Sequence, residues 1–217
     1  MKRSTTWGLV LVAVGAVWAA ACRPAAAAGP AVVIAKDASA LEDLAGREIV
    51  RYVYLRTGKV LPLVSGDAAP AGTDGGFVVA RKGRPVLAAV GGEAARAACD
   101  ALRPQEYLLK TVQSGGKPFV LVAGADDAAT LWAAYRLAEH LGVRFYLHVD
   151  VVPDERTALA IPKLDERAAP LFELRGIQPF HDFPEGPDWW DADDYKAVLS
   201  QLPKLRMNFF GLHTYPE

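Results

Sequence analysis

The sequence predicts an α+β domain, a mixed sheet with helices on one face, followed by the first β-α-β unit of a truncated (β/α)8 barrel of the TIM type. Three observations carry this. Over residues 30–165, strand-like and helix-like segments run as strand, helix, several strands, helix, strand. That is the order of an α+β layer rather than of strict β-α repeats. Residues 152–167 then hold Pro153, Pro162 and a run of charges, the composition of a connection between domains. In residues 170–217 an apolar strand, a capped helix and a second apolar strand make a parallel unit, the repeat of a barrel.

Residues 1–29 read as a signal peptide. Lys2 and Arg3 give a positive start, residues 7–21 are apolar and uncharged, and small residues follow at 25–28. The apolar stretch is shorter than the ~20 residues that cross a bilayer, which disfavours the competing reading of a membrane anchor. The protein is therefore expected to be exported: periplasmic, extracellular or surface-anchored. Residues 19–22, AAAC, have the small residues of a lipoprotein processing site but lack the usual Leu three positions before the Cys. Two outcomes stay open: Cys22 carries a lipid anchor, or it leaves with the signal. In both, Cys99 has no partner in the mature part and reads as a small buried apolar residue. Without a disulfide framework the core must hold the fold. At 217 residues and 52% hydrophobic composition there is material for one. A net charge of −1 argues against nucleic acid as a partner.

Along the mature chain, residues 31–35 form a buried strand. Ser39 and Glu42 make a capping box, and Leu41, Leu44, Ala45, Ile49, Tyr52 and Leu55 recur at helical spacing up to Gly58. Residues 60–64 are extended, and 65–76 are a loop rich in Gly, Ala, Asp and Pro. Residues 77–80 and 86–90 are candidate strands, and 93–102 a short helix. Residues 106–112 and 119–123 pair as a hairpin with Ser114, Gly115 and Gly116 in its turn. Asp126 or Asp127 caps a long helix that carries Leu131, Ala134, Tyr135, Ala138 and Leu141 and stops at Gly142. A strand follows at 143–146, and 157–161 add an edge strand. In the second unit, 171–176 and 207–212 are strands. Asp191 caps the helix between them, and Pro203 kinks or ends its last turn.

Two stretches carry a family resemblance. Residues 119–153 resemble the end of the N-terminal α+β domain that precedes the barrel in beta-N-acetylhexosaminidases and alpha-glucuronidases. The matching outline is Gly124 and Asp126 leading into a helix with Tyr135, Arg136 and Leu137, then Leu141, Gly142, Val143 and Arg144. Residues 174–177, LRGI, and 205–213, LRMNFFGLH, resemble the first two barrel strands of the same enzymes, with Arg175-Gly176, Arg206-Met207-Asn208 and His213 in the matching places. One departure stands out. The hexosaminidase strand ends in two histidines flanking an aromatic residue, whereas here Gly211-Leu212-His213 precedes Thr214-Tyr215. The resemblance implies the N-terminal fragment of an exported glycoside hydrolase acting on poly- or oligosaccharides, with its catalytic carboxylates beyond Glu217. It leaves open a competing reading, a non-catalytic, surface-attached carbohydrate-binding or scaffold protein.

On that resemblance, Arg175 and His213 are expected at the exit ends of barrel strands one and two, where such barrels keep their sites. Arg175 would donate hydrogen bonds to sugar hydroxyls, or else bridge across the barrel mouth. His213 would bond a hydroxyl or sit satisfied in the core. His181 and Asp182 belong to the loop after strand one, with Trp189 and Trp190, whose rings either stack on sugar or plug the barrel top. Asp191, Asp193 and Asp194 are explained by helix capping. His148, Asp150 and Asp154 lack metal-ligand spacing. The lone Gly124 is no dinucleotide turn. Neither a metal, an organic cofactor nor a protein partner is expected; the partner is carbohydrate.

Overall fold

The computed structural model describes residues 29–180 and 186–212. The expected signal peptide with Cys22, and the candidate residues His181, Asp182 and His213, lie outside the described residues.

The chain opens with β1 (Gly29–Ile34) and α1 (Ala40–Thr57). Ser39 Oγ accepts from the Glu42 N–H, and the Glu42 carboxylate accepts from the Ser39 N–H, so the expected capping box is formed. Gly58 stops the helix in the left-handed region, φ 71°. There follow β2 (Leu63–Ser65), β3 (Thr73–Arg81), α2 (Pro85–Asp100), β4 (Tyr107–Ser114), β5 (Lys117–Gly124) and α3 (Asp127–His140). Then come the short β6 (Arg144–Phe145), β7 (Asp150–Val151) and β8 (Asp165–Ala168). The main sheet has the order β2-β1-β3-β5-β4-β8. The first four strands are parallel, while β4 is antiparallel to both β5 and β8. The sheet is therefore mixed, as expected.

The expectation that the helices share one face is corrected. Helices α1 and α3 cover one side, packing Ile49, Tyr52, Leu131 and Leu137 against Val32, Phe77, Val120 and Val122. Helix α2 covers the other, packing Val86, Leu87, Val90 and Cys99 against Val33, Val78 and Leu121. The reason is in the strands. Residues 31–34, 77–80 and 119–123 are continuous apolar runs, so successive side chains are apolar on both faces and both must be covered. Each fully buried Val, Leu or Phe contributes about 1.5–3 kcal/mol, so a bare face here would leave no stable sheet. Cys99 is one of these buried residues, and burial, with Asp100 close by, pushes its thiol pKa up to about 11.

Residues 86–90, expected as a strand, are the first turns of α2. Pro85 occupies the first helical turn, where its missing N–H is harmless. Val86, Leu87, Val90, Ala95 and Cys99 keep one face buried across a kink at Gly92, φ 72°. The hairpin of β4 and β5 is present, turning through Gly115 and Gly116 at φ 56° and 77°. The expected strand at 143–146 shrinks to β6, which pairs only with β7 outside the main sheet. The edge strand is β8, not 157–161, so the sheet runs on to Ala168, past the boundary expected at 165.

In the second unit β9 (Gly176–Ile177), α4 (Ala192–Gln201) and β10 (Phe209–Phe210) form a parallel β-α-β unit. Asp191 caps α4 with a capping box to Asp194. The ladder is two residues long on each side, Gly176 facing Phe209 and Ile177 facing Phe210. The expected strand over 171–176 is thus confined to its last residue, and Leu171 and Phe172 are 93% and 71% exposed, with no sheet to bury them. The described residues hold a mixed α/β sheet domain and one such unit; a closed barrel is not among them.

Candidate functional site

The second unit meets the sheet domain along a seam built on two unusual backbone positions. Gln105, φ 65°, precedes β4, and Arg206, φ 60°, lies between α4 and β10. They are the non-glycine residues with positive φ among the described residues. That conformation costs about 1–3 kcal/mol and persists where neighbours over-determine it. Here the neighbours do so. The Gln105 N–H donates to Asp126 Oδ2 at 2.7 Å, while Asp126 Oδ1 accepts from Ala129 N at 2.8 Å to cap α3. Arg206 donates to both carboxylate oxygens of Glu139 on α3, at 3.0 and 3.4 Å.

Arg175 lies between these two. Its Nη1 donates to Gln105 Oε1 at 2.6 Å, and its Nε to the Arg206 carbonyl at 3.0 Å. The guanidinium carbon sits 4.7 Å above the Trp132 ring, a cation–π contact from α3. Burial, and then the charge of Arg206, draw the Arg175 pKa below the ordinary arginine value. It remains a cation, because arginine starts so high. Asn208 completes the arrangement. Its Oδ1 accepts from the Arg175 N–H at 2.8 Å, and its Nδ2 donates to the Glu173 carbonyl at 2.9 Å and to Gln105 Oε1 at 3.4 Å.

The placement of Arg175 differs from the expectation. It stands just before the paired residues of β9, at the strand's start rather than its exit. Its side chain therefore turns toward Gln105 and Trp132 of the sheet domain. The backbone explains why: the Asn208 and Phe209 N–H groups both donate to the Arg175 carbonyl, at 2.8 and 3.0 Å, and so begin the ladder there. His181 and His213 follow the exit ends in sequence and lie outside the described residues. Of the aromatic pair, Trp190 is half-buried edge-on to Tyr195 at 5.3 Å, and Trp189 is 58% exposed.

Arg175 lines a cavity of about 230 Å³ with Gln105, Tyr107, Trp132, Leu205 and Arg206. A neighbouring cleft of about 430 Å³ shares Gln105 and adds Arg103, Glu106 and Glu173. Together they offer aromatic faces, amide groups and arginine donors. Glu106 is no proton donor. It is 2% exposed and accepts from the Arg103 N–H and Nε, at 3.1 and 2.5 Å, and from Arg167 Nε at 3.0 Å and Nη2. Burial alone would raise its pKa, but these bonds, from Arg167 above all, lower it to about 2. A carboxyl depressed in the folded state stabilises above its unfolded pKa of about 4.3 and loses that contribution as pH falls toward the folded value. Stability is therefore expected to drop between about pH 4.5 and pH 2. Glu106→Gln should flatten that acid limb in urea titrations; a limb of unchanged slope would remove Glu106 from its cause.

A second contact locks the units together. Lys204 is 7% exposed and donates to Asp150 Oδ1 and Oδ2 at 2.8 and 2.9 Å, while the Tyr52 hydroxyl donates to Oδ2 at 2.8 Å. Burial favours the neutral acid, but the bonds from Lys204 and Tyr52 win and hold the Asp150 pKa below the ordinary carboxylate value. Asp150 thus has a structural partner, and His148 pairs with the Tyr146 ring at 6.4 Å. Among the described residues no three His, Cys, Asp or Glu side chains are grouped to hold a metal ion. Gln105, Trp132 and Lys204 escaped the sequence reading. A lone Gln after a Pro and a Lys within an apolar stripe carry no local signal; their roles arise only when distant segments meet.

No family model matches the chain, and no curated protein matches it. It is similar to the solved structure of CpGH84D, a glycoside hydrolase family 84 protein, with a TM-score of 0.54 and 8% sequence identity. The likeness covers 85% of this chain and 28% of that one. At such identity it establishes a shared fold, and the chain spans little more than a quarter of that protein's length.

Proposed function

We propose that this chain is the N-terminal part of an exported glycoside hydrolase, hexosaminidase- or glucuronidase-like, whose acid and base lie beyond Glu217. The observation that carries the reading is the extent of the fold likeness. Its 85% share of the chain is more than residues 1–165 can supply, so it reaches beyond them, which supports a likeness that is not confined to the sheet domain. The neighbour is a glycoside hydrolase by name, and the resemblance of residues 119–153, 174–177 and 205–213 points to the same group of enzymes. Hydrolysis needs two carboxyl groups about 5–10 Å apart across the scissile bond. The seam's Glu106 and Glu139 are instead held by arginines, which supports a catalytic pair further along the chain. In this reading Arg175 contacts the saccharide from the cavity that it lines at the start of β9, while His181 and His213, which follow the exit ends of the strands in sequence, contact it from that other side.

The reading frame that continues past residue 217 should encode further β-α repeats with an acidic pair. Its product should release the chromophore from nitrophenyl N-acetylhexosaminides or glucuronides. A product that leaves both substrates intact, while the 217-residue chain alone binds amino sugars or uronic acids tightly by titration calorimetry, would transfer the case to a binding module.

A further inference from the structure

We infer that Gln105 is a positioning residue of the sheet domain, acting through Arg175; the inference rests on the glycoside hydrolase reading for its functional half. Three observations support it. Gln105 uses its side chain entirely across the seam: Oε1 accepts from Arg175 Nη1 at 2.6 Å and from Asn208 Nδ2 at 3.4 Å, and Nε2 donates to the Glu173 carbonyl at 3.1 Å. Its backbone is anchored on its own side, where the N–H donates to Asp126 Oδ2 at 2.7 Å, and its φ of 65° aims the side chain at the second unit. Its targets are the motif residues themselves. Arg175 and Asn208 start the β9–β10 ladder, through Asn208 N and Phe209 N to the Arg175 carbonyl and Arg175 N to Asn208 Oδ1.

The consequence is a division of labour. Trp132 supports the face of the Arg175 guanidinium and the Arg206 carbonyl takes Nε, but neither fixes how the plane is turned about that axis. An acceptor at Nη1 does. An arginine that binds a sugar hydroxyl does so in the plane of its fork, so its angle matters. Nη1 is held by Gln105 Oε1 at 2.6 Å together with the Phe172 carbonyl at 2.7 Å, so Gln105 supplies the part of that hold that comes from outside the unit that carries Arg175. A sheet domain without catalytic carboxylates of its own thereby takes part in substrate recognition.

Two variants separate the acceptor from mere bulk. Gln105→Met keeps the length and removes both the acceptor and the Nε2 donor to the Glu173 carbonyl; Gln105→Glu also lacks that donor but keeps an acceptor for Arg175 and Asn208, so the two differ in the acceptor. Both are straight side chains at the same φ, so backbone strain is matched. In the 217-residue chain, Gln105→Met should raise amide exchange at Asn208, Phe209 and Gly211 by about tenfold, the loss of one charge-assisted hydrogen bond, with the amides of β3 and β5 unchanged. Gln105→Glu should recover most of that loss, short only of the Nε2 bond to the Glu173 carbonyl. In the longer hydrolase, Gln105→Met should raise KM by about tenfold at nearly constant kcat, the mark of lost binding common to ground and transition states. Gln105→Glu should again rescue. Unchanged exchange in Gln105→Met, or a Gln105→Glu variant as impaired as Gln105→Met, overturns the positioning role. A parent protein that cleaves no glycoside ends the hydrolase reading instead, and the exchange result still decides the clamp. An active parent whose KM ignores Gln105→Met overturns the functional half, whatever the exchange rates do.

Discussion

Glu42→Ala should cost about 3–5 kcal/mol of unfolding free energy, the loss expected when one member of a buried charge pair is removed. Glu42 is 0% exposed and is the shared acceptor for the start of α1 and the end of β3. Its carboxylate takes the Ser39 N–H at 2.7 Å, the Arg81 N–H at 2.8 Å, Arg84 Nε at 3.1 Å and Arg84 Nη2 at 2.6 Å. Burial works against the charge, yet the Arg84, Arg81 and Ser39 bonds outweigh it and leave the Glu42 pKa below its ordinary value. Alanine would leave the Arg84 guanidinium, whose side chain is 10% exposed, with the exposed Asp37 as its ion-pair partner and Asp127 as a more distant charge. Against a total of about 5–15 kcal/mol, that is a large share. At about 2–4 °C per kcal/mol for a domain of this size, the melting midpoint should fall by roughly 6–20 °C. Guanidinium denaturation followed by circular dichroism gives the number directly, and a loss below about 1 kcal/mol would show that the pair is replaceable by water.

Gly76→Ala should prevent folding altogether. Gly76 lies in β3 opposite Ala31 of β1 and Phe119 of β5, at φ 134°. A Cβ there would meet the Ala31 carbonyl oxygen at 1.9 Å, a distance no side chain tolerates. The obstacle is backbone where the regular parallel ladder of β3 begins, so relief requires β1 and β3 to separate there. Losses above about 4–5 kcal/mol are exceptional for single substitutions and belong to mechanisms of this kind. Gly83→Ala is the matched control. It also has positive φ, 84°, but nothing lies within 4 Å of its Cβ position. It should cost only the left-handed penalty of about 1–2 kcal/mol. Soluble yield and amide dispersion by NMR separate the two; a folded Gly76→Ala protein would mean that the strands can slip past each other.

What was legible in the sequence was what is decided locally. Ser39 with Glu42, and Asp191 at the start of α4, each act within one turn of helix and match the sequence reading; at α3 the sequence offers Asp126 or Asp127, and Asp126 is the cap. The Gly115-Gly116 hairpin is equally local. Residues 86–90 were misread because a short apolar run fits a strand or a helix alike, and only the burial of Ala95 and Cys99 on the same face resolves it. The second covered face of the sheet was written in the unbroken apolar strands, yet the position of α2 depends on a topology that no single segment states. The edge strand moved from 157–161 to β8, which pairs with Leu108 and Leu109 and is tied down by Glu166 to Arg136 and His140 and by Arg167 to Glu106, partners that lie far away in the sequence. At the candidate site the motif residues Arg175 and Asn208 were visible, but their direction was not. For Arg175 that direction comes from the Phe172 and Arg206 carbonyls, the Trp132 ring and Gln105, the last of them 70 positions away along the chain.

The two margins of the main sheet have a consequence for how the protein behaves in a crowd. One margin, β2, is three residues long, and the other, β8, reads Asp-Glu-Arg-Ala with three charges in four residues. Short and charged borders are how native sheets refuse to recruit strands from neighbouring molecules. The β9–β10 ribbon has no such guard: its paired residues are Gly, Ile, Phe and Phe. If concentrated solutions of this chain grow into polymers, growth should begin at that ribbon, and a charged residue placed there would be the means of keeping the molecules apart.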